Sequence, residues 1–176
     1  MSHNDSRPPE TRISPLALTV LAVLMVVAGF TTTAKNLSRS LDSDELFHAL
    51  AARSLLRDGT LKLAPHLEGE YARARAFTWM VAGSFRLLGE SEVAARVPSV
   101  LFTVLFSPLI FLIGCRLFRT STGLWAAGMA AFLPIFIEQG RFCRMYPHAR
   151  FFTLLATALL FVVLERVHTA TVKGRP

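Results

Sequence analysis

Four runs of apolar residues, at 13–34, 93–118, 124–137 and 151–164, limit what this chain can fold into. A water-soluble domain with 52% hydrophobic and only 18% charged residues would spread its apolar side chains over half-exposed helices and strands. Here they are gathered into blocks, and lipid or other buried helices must satisfy such blocks. The fold class expected is all-α: multi-pass membrane helices in four spans, with two amphipathic interfacial helices in the first outer loop. By residue, 1–12 form a cytosolic tail, 13–34 the first span and 35–92 the outer loop; 93–167 form a three-span helical bundle and 168–176 a basic cytosolic tail. Thr32 and Ala34 would pass as a signal-peptide cleavage site. The run before them is longer than a usual signal core and more spans follow, so it reads as an uncleaved anchor.

The net charge of +7 would suit a nucleic-acid partner, but no basic stretch interleaved with aromatics lies in a soluble module. Membrane topology and anionic lipid account for it instead, and no nucleic acid is expected. With the N-terminus inside, Arg7, Arg12, Arg116, Arg119, Arg166, Lys173 and Arg175 fall on cytosolic flanks, which places both termini in the cytosol. Arg141, Arg144 and Arg150 in the short outer loop run against that rule. An anion held at the outer face would explain them, because the guanidinium fork suits phosphate; snorkelling to lipid headgroups would too. Cys115 and Cys143 have no framework spacing for a disulfide, and no metal-ligand cluster occurs.

Between the first two spans, apolar stripes mark helices at 43–57, with Leu46, Phe47, Leu50, Ser54 and Leu55 on one side, and at 72–88, with Phe77, Met80, Val81, Ser84, Phe85 and Leu88. Gly59 and Gly89 are their stops. Asp42 is a natural N-cap with Glu45 as its reciprocal third-position partner. The carboxylate pair Asp44 and Glu45 then reads in two ways, as acids that complement a helix N-terminus or as acids that do chemistry. Residues 63–70 form an irregular turn suited to facing substrate. Pro98 and Pro108 lie inside the second span and predict a kinked, packed helix. Ala126, Ala127, Gly128, Ala130 and Ala131 suit close packing in the third.

The segment Ser43-Asp-Glu-Leu-Phe-His-Ala-Leu-Ala-Ala-Arg-Ser-Leu-Leu-Arg-Asp-Gly59 resembles the first outer loop of bacterial membrane glycosyltransferases of the protein-O-mannosyltransferase and aminoarabinose-transferase type. Leu88-Gly89-Glu-Ser-Glu-Val-Ala-Ala-Arg-Val-Pro-Ser99 is similar to that family's entry into the second span, and Gly140-Arg-Phe-Cys-Arg-Met-Tyr146 to its Arg-x-x-Arg-x-Tyr segment. Each motif is moderately specific; the three stand in the family's order. The resemblance implies the N-terminal part of a GT-C enzyme in the bacterial plasma membrane, moving a sugar from a polyprenyl-phosphate carrier to an acceptor on the outer face. It implies Asp44 as the catalytic base and Glu45 as its companion, with Arg141 and Arg144 neutralising the leaving phosphate. Substrate contacts would come from Tyr146, which could equally be an interfacial-belt tyrosine, and from Arg73, which could equally lie on a solvated helix face. His48, one turn after Asp44, would tune it or bind acceptor, unless it is a surface histidine.

The chain departs from the family in three places. Where the aminoarabinose branch has a Lys-Pro pair, this chain has Arg73 and Ala74; where that branch has a second aspartate, it has Tyr146. Family members are usually several times longer, so the chain is expected to be a fragment, a split gene product or a truncated relative, with a partner chain supplying further spans. No cofactor is fixed, and a divalent metal stays open. Two rivals stand beside the enzyme: a non-catalytic four-span remnant or accessory subunit, and a small transporter subunit, which would want polar residues within the spans.

Overall fold

Caps, glycines and prolines decide where the helices begin and end. The computed structural model describes residues 14–64, 66 and 69–173, the side chains of 15, 17, 18, 172 and 173 excepted; the tail at 1–12, residues 174–176 and part of the 63–70 turn lie outside them. The described residues form seven α-helices and no strand: α1 (Pro15–Thr33), α2 (Ser43–Asp58), α3 (Arg75–Leu88), α4 (Glu92–Leu117), α5 (Thr120–Phe132), α6 (Pro134–Gly140) and α7 (Tyr146–Lys173). Gly59 ends α2 at φ 70° and Gly89 ends α3 at φ 82°, left-handed values that a glycine takes without steric cost. Ser91 starts α4 by accepting the Ala94 N–H at 3.1 Å.

The sequence predicts four continuous spans, and the structure differs. Two helices, α4 and α7, are each long and apolar enough to cross a membrane. The third apolar run is broken: α5 and α6 meet at 56° and could cross only as a bent pair. Pro134 is the cause, since it lacks an N–H to continue α5 and pushes Leu133 into extended backbone at φ −64°, ψ 123°. In α1, Thr19–Thr33 makes a shorter apolar helix. The protein is a helical membrane protein with two such helices, or three if the bent pair counts.

Helix α4 is the hub, packed against α1, α3, α5, α6 and α7. It runs through Pro98 and Pro108 as one helix. A proline at 98 strips the Ala94 carbonyl of its helical donor, and the Ser84 hydroxyl of α3 donates to that carbonyl instead. Where α4 meets α5, Gly114 and Gly123 touch so closely that a Cβ on Gly114 would stand 2.5 Å from the Gly123 Cα.

Outside the long helices, α2 and α3 pack on the start of α4 around Ala49, Ala52, Phe77, Val81, Phe85, Ala94 and Ala95. The stripe predicted on α2 is not its buried face. Leu46 and Phe47 are 42% and 38% exposed, whereas Glu45, His48, Ala49, Ala51 and Ala52 are buried. Small side chains let α2 approach its neighbours closely, and the larger ones are left facing outward. On α3 the predicted stripe holds for Phe77, Val81, Ser84 and Phe85, while Leu88 is exposed.

Candidate active site

Position N3 of α2 holds a carboxylate that does more than cap. Glu45 Oε2 accepts the Asp42 N–H at 3.0 Å, as the cap pattern predicts. Both its oxygens also receive the Arg96 fork, Nε to Oε1 at 2.9 Å and Nη2 to Oε2 at 2.8 Å, and both side chains are 0% exposed. The rest of the guanidinium donates to the carbonyls of Leu37, Arg39 and Ser40, at 2.6, 2.7 and 3.1 Å. From the α6–α7 turn, the Cys143 N–H reaches Glu45 Oε1 at 2.6 Å. One ion pair thus joins the α1–α2 loop, α2, α4 and the α6–α7 turn. Burial alone would raise the Glu45 carboxyl; the Arg96 bonds and the two N–H donors outweigh it, so its pKa is held down. The Cys143 thiol is pushed up to about 12 by burial and then by the Glu45 charge, so it keeps its proton.

Asp44 is the next residue back, about 100° around the helix, and faces the other way. Its carboxylate is 56% exposed and lies 3.2 Å from Arg144 Nη2, which is 33% exposed. The two groups line a shallow depression with Phe47, His48, Tyr71, Arg73, Met145 and Tyr146. It is small, about 30 Å³, and open on one side. On the floor, His48 is only 4% exposed, with Nδ1 3.0 Å from the Thr78 hydroxyl and Nε2 3.5 Å from the Tyr71 hydroxyl. Burial and then the Arg73 charge lower its pKa to about 4, with Asp44 opposing, so the ring is neutral. Burial raises the Tyr71 phenol, which keeps its proton.

Asp44, Arg144, Tyr146, Arg73 and His48 therefore meet at one depression, although His48 is buried and not a surface residue. Glu45, expected at the reacting centre, is sealed behind it. Arg141 does not face the depression: its Nη2 donates to the Thr32 carbonyl at the end of α1. Two site residues escaped the sequence reading. Arg96 stood inside a quoted motif as an unassigned arginine, and Tyr71 stood two residues before Arg73 in a stretch with no periodic signal. At the Lys-Pro position, Ala74 sits at φ 43°, which a proline ring locked near −65° cannot adopt. Among the described residues no group of three or more His, Cys, Asp or Glu side chains could hold a metal ion.

An exposed carboxylate beside two arginines, set where α2 and α3 meet the long apolar helices, belongs to a membrane protein with a polar site at the end of its helix bundle. The sequence model of the dolichyl-phosphate-mannose-protein mannosyltransferases matches residues 73–171, more than half of the chain, and the chain belongs to this family of membrane glycosyltransferases of GT-C type. The matched region includes Arg73, Arg96 and the α6–α7 turn; Asp44 and Glu45 precede it. No curated protein and no solved structure matches the chain.

Proposed function

We propose that the chain transfers a sugar from a polyprenyl-phosphate carrier to an acceptor hydroxyl on the outer face of a bacterial plasma membrane, both termini being cytosolic. The observation that carries this reading is the Asp44–Arg144 pair, an accessible base 3.2 Å from a guanidinium at the bundle's mouth. Asp44 takes the acceptor's proton as the acceptor oxygen bonds to the anomeric carbon. The bond from that carbon to the phosphate oxygen breaks, and the phosphate leaves with the electron pair towards Arg144 and Arg73. Tyr146 and Tyr71 offer hydroxyls to the sugar, Phe47 offers a ring face, and neutral His48 holds Tyr71 in place. Glu45 is a positioning residue, acting through the backbone it fixes.

The test is sugar transfer in membranes from a labelled polyprenyl-phosphate donor. Asp44→Asn is expected to lose roughly 10²–10⁴ in rate at unchanged expression. Asp42→Asn should keep most activity, because asparagine still caps. Full activity in Asp44→Asn removes the base assignment. The small volume of the depression favours a second reading, a non-catalytic accessory subunit; inactivity of the wild-type chain with every donor and acceptor would support it.

A further inference from the structure

The imidazole of His48 is pinned from three sides. Its ring stands edge-on to Phe77 at 5.0 Å and to Tyr71 at 5.2 Å, and Phe77 is itself fully buried. Nδ1 lies 3.0 Å from the Thr78 hydroxyl. Nε2 lies 3.5 Å from the Tyr71 hydroxyl, a long contact, and neither nitrogen has another partner among the described residues. Packed in this way, the ring cannot turn over without displacing its neighbours.

Which nitrogen carries the proton follows from counting donors. Thr78 is 0% exposed, so bulk water does not reach its hydroxyl, and among the described residues His48 Nδ1 is that hydroxyl's one partner. A proton on Nδ1 would leave the Thr78 O–H buried without an acceptor, which native structures avoid. With Thr78 donating, Nδ1 is the bare nitrogen and the neutral ring carries its proton on Nε2. That N–H is directed at the Tyr71 oxygen. A phenol oxygen has two positions in its ring plane, one for its proton and one for a lone pair. His48 fills the lone-pair position as a donor, so the Tyr71 proton takes the other and points into the depression that Tyr71 lines.

Resting on the function proposed above, we propose that the Thr78–His48–Tyr71 chain makes Tyr71 a donor only towards the substrate, so that this wall of the site selects a sugar meeting it with an oxygen and rejects one meeting it with a protonated amine. Tyr71 determines specificity, and His48 and Thr78 are positioning residues that act through it. A hydroxyl has lone pairs to offer the Tyr71 proton, whereas an ammonium has three donors and none. With no donor behind it, a tyrosine would turn its proton aside and accept from the amine. The discrimination therefore lies in the chain of three and not in the phenol alone. The charges of Asp44, Arg73 and Arg144 act on an amine anywhere in the depression, whereas the Tyr71 proton acts at one position of the sugar.

The test takes two measurements on the full-length chain in detergent. Nitrogen-15 imidazole spectra, with the His48 signal assigned by its loss in His48→Phe, should show the proton on Nε2 and a bare Nδ1. A proton on Nδ1 overturns the inference and leaves the proposed function standing. Binding is then measured for farnesyl phosphomannose and for analogues in which one sugar hydroxyl at a time is replaced by an amine. At one position the amine should bind about tenfold less well, the loss of one hydrogen bond. Thr78→Val keeps the shape of the side chain and removes its donor, so the penalty should fall to within about twofold, as it should in Tyr71→Phe; Thr78→Ser should keep it. A penalty that survives in Thr78→Val, or no position that responds to Tyr71→Phe, overturns the inference, while binding of the parent donor in the same samples leaves the proposed function standing. No binding of farnesyl phosphomannose by the wild type overturns the proposed function and this inference with it.

Discussion

Replacing Arg96 by methionine removes a buried cation and keeps most of its aliphatic volume, which isolates the charge. In the native chain Arg96 makes two bonds to Glu45 and three to the carbonyls of Leu37, Arg39 and Ser40. Those carbonyls belong to a loop in which Arg39 and Ser40 are exposed, so water can replace part of their loss. Glu45 has no such recourse: at 0% exposure it keeps only the Asp42 and Cys143 N–H donors for a full negative charge. Breaking a buried pair from one side costs about 3–5 kcal/mol, a large part of the 5–15 kcal/mol that holds a typical domain together.

Cys143 gives a direct assay for that loss. It is fully buried against Glu45, so maleimide can label it only when the α6–α7 turn opens. In a Cys115→Ala background, a loss of about 4 kcal/mol should speed labelling of Cys143 roughly thousandfold. The double variant Glu45→Met/Arg96→Met should label more slowly than Arg96→Met alone, because no unpaired charge remains. Labelling within threefold of the parent in Arg96→Met would refute the reasoning. A double variant with the summed cost of both single variants would also refute it, since the two side chains would then act independently.

Acid should destabilise the packing of α2 on α3 through His48. Its pKa of about 4 lies below the ordinary 6.5, so its contribution is complete above about 6.5 and fades as pH falls towards 4, because the unfolded chain takes the proton first. Unfolding free energies at pH 7.5 and 4.5 should therefore differ by up to about 3 kcal/mol, and His48→Phe should flatten the slope. At the other end of the bundle, Gly114→Ala would set a Cβ 2.5 Å from the Gly123 Cα and should cost about 1–3 kcal/mol in detergent unfolding. Gly83→Ala on α3 meets nothing within 4 Å and should be neutral or stabilising by up to about 1 kcal/mol.

Local signals in the sequence located both ends of α2 and the end of α3, whereas α7, Tyr146–Lys173, runs well beyond the apolar stretch read at 151–164. Gly59 and Gly89 both stop helices with positive φ, and Asp42 sits one residue ahead of α2. Which face of α2 turns inward was not legible, because periodicity counts leucines and phenylalanines as core. Glu45, His48, Ala49 and Ala52 follow the same helical spacing, and two of them look polar until Arg96 and Thr78 are placed against them. The third apolar run looked continuous because its composition is uniform; a single proline, Pro134, divides it. Arg141 and Arg144 could not be separated, since the turn after α6 has no period from which to read direction. Only the fold sends one to Thr32 and the other to Asp44.

The consecutive acids illustrate how adjacent residues on one turn divide between structure and exposed chemistry. Helical geometry lets only one of the two face the bundle, and Glu45 does. From there it takes the Cys143 N–H, which fixes the backbone one residue before Arg144. Ser99 on α4 holds Arg144 itself at both N–H and C=O, and Arg96, three residues earlier on the same helix, holds Glu45. The place of the Arg144 backbone opposite Asp44 is therefore set from below, by buried and half-buried bonds. An exposed ion pair with no such frame would be too weak to keep its geometry.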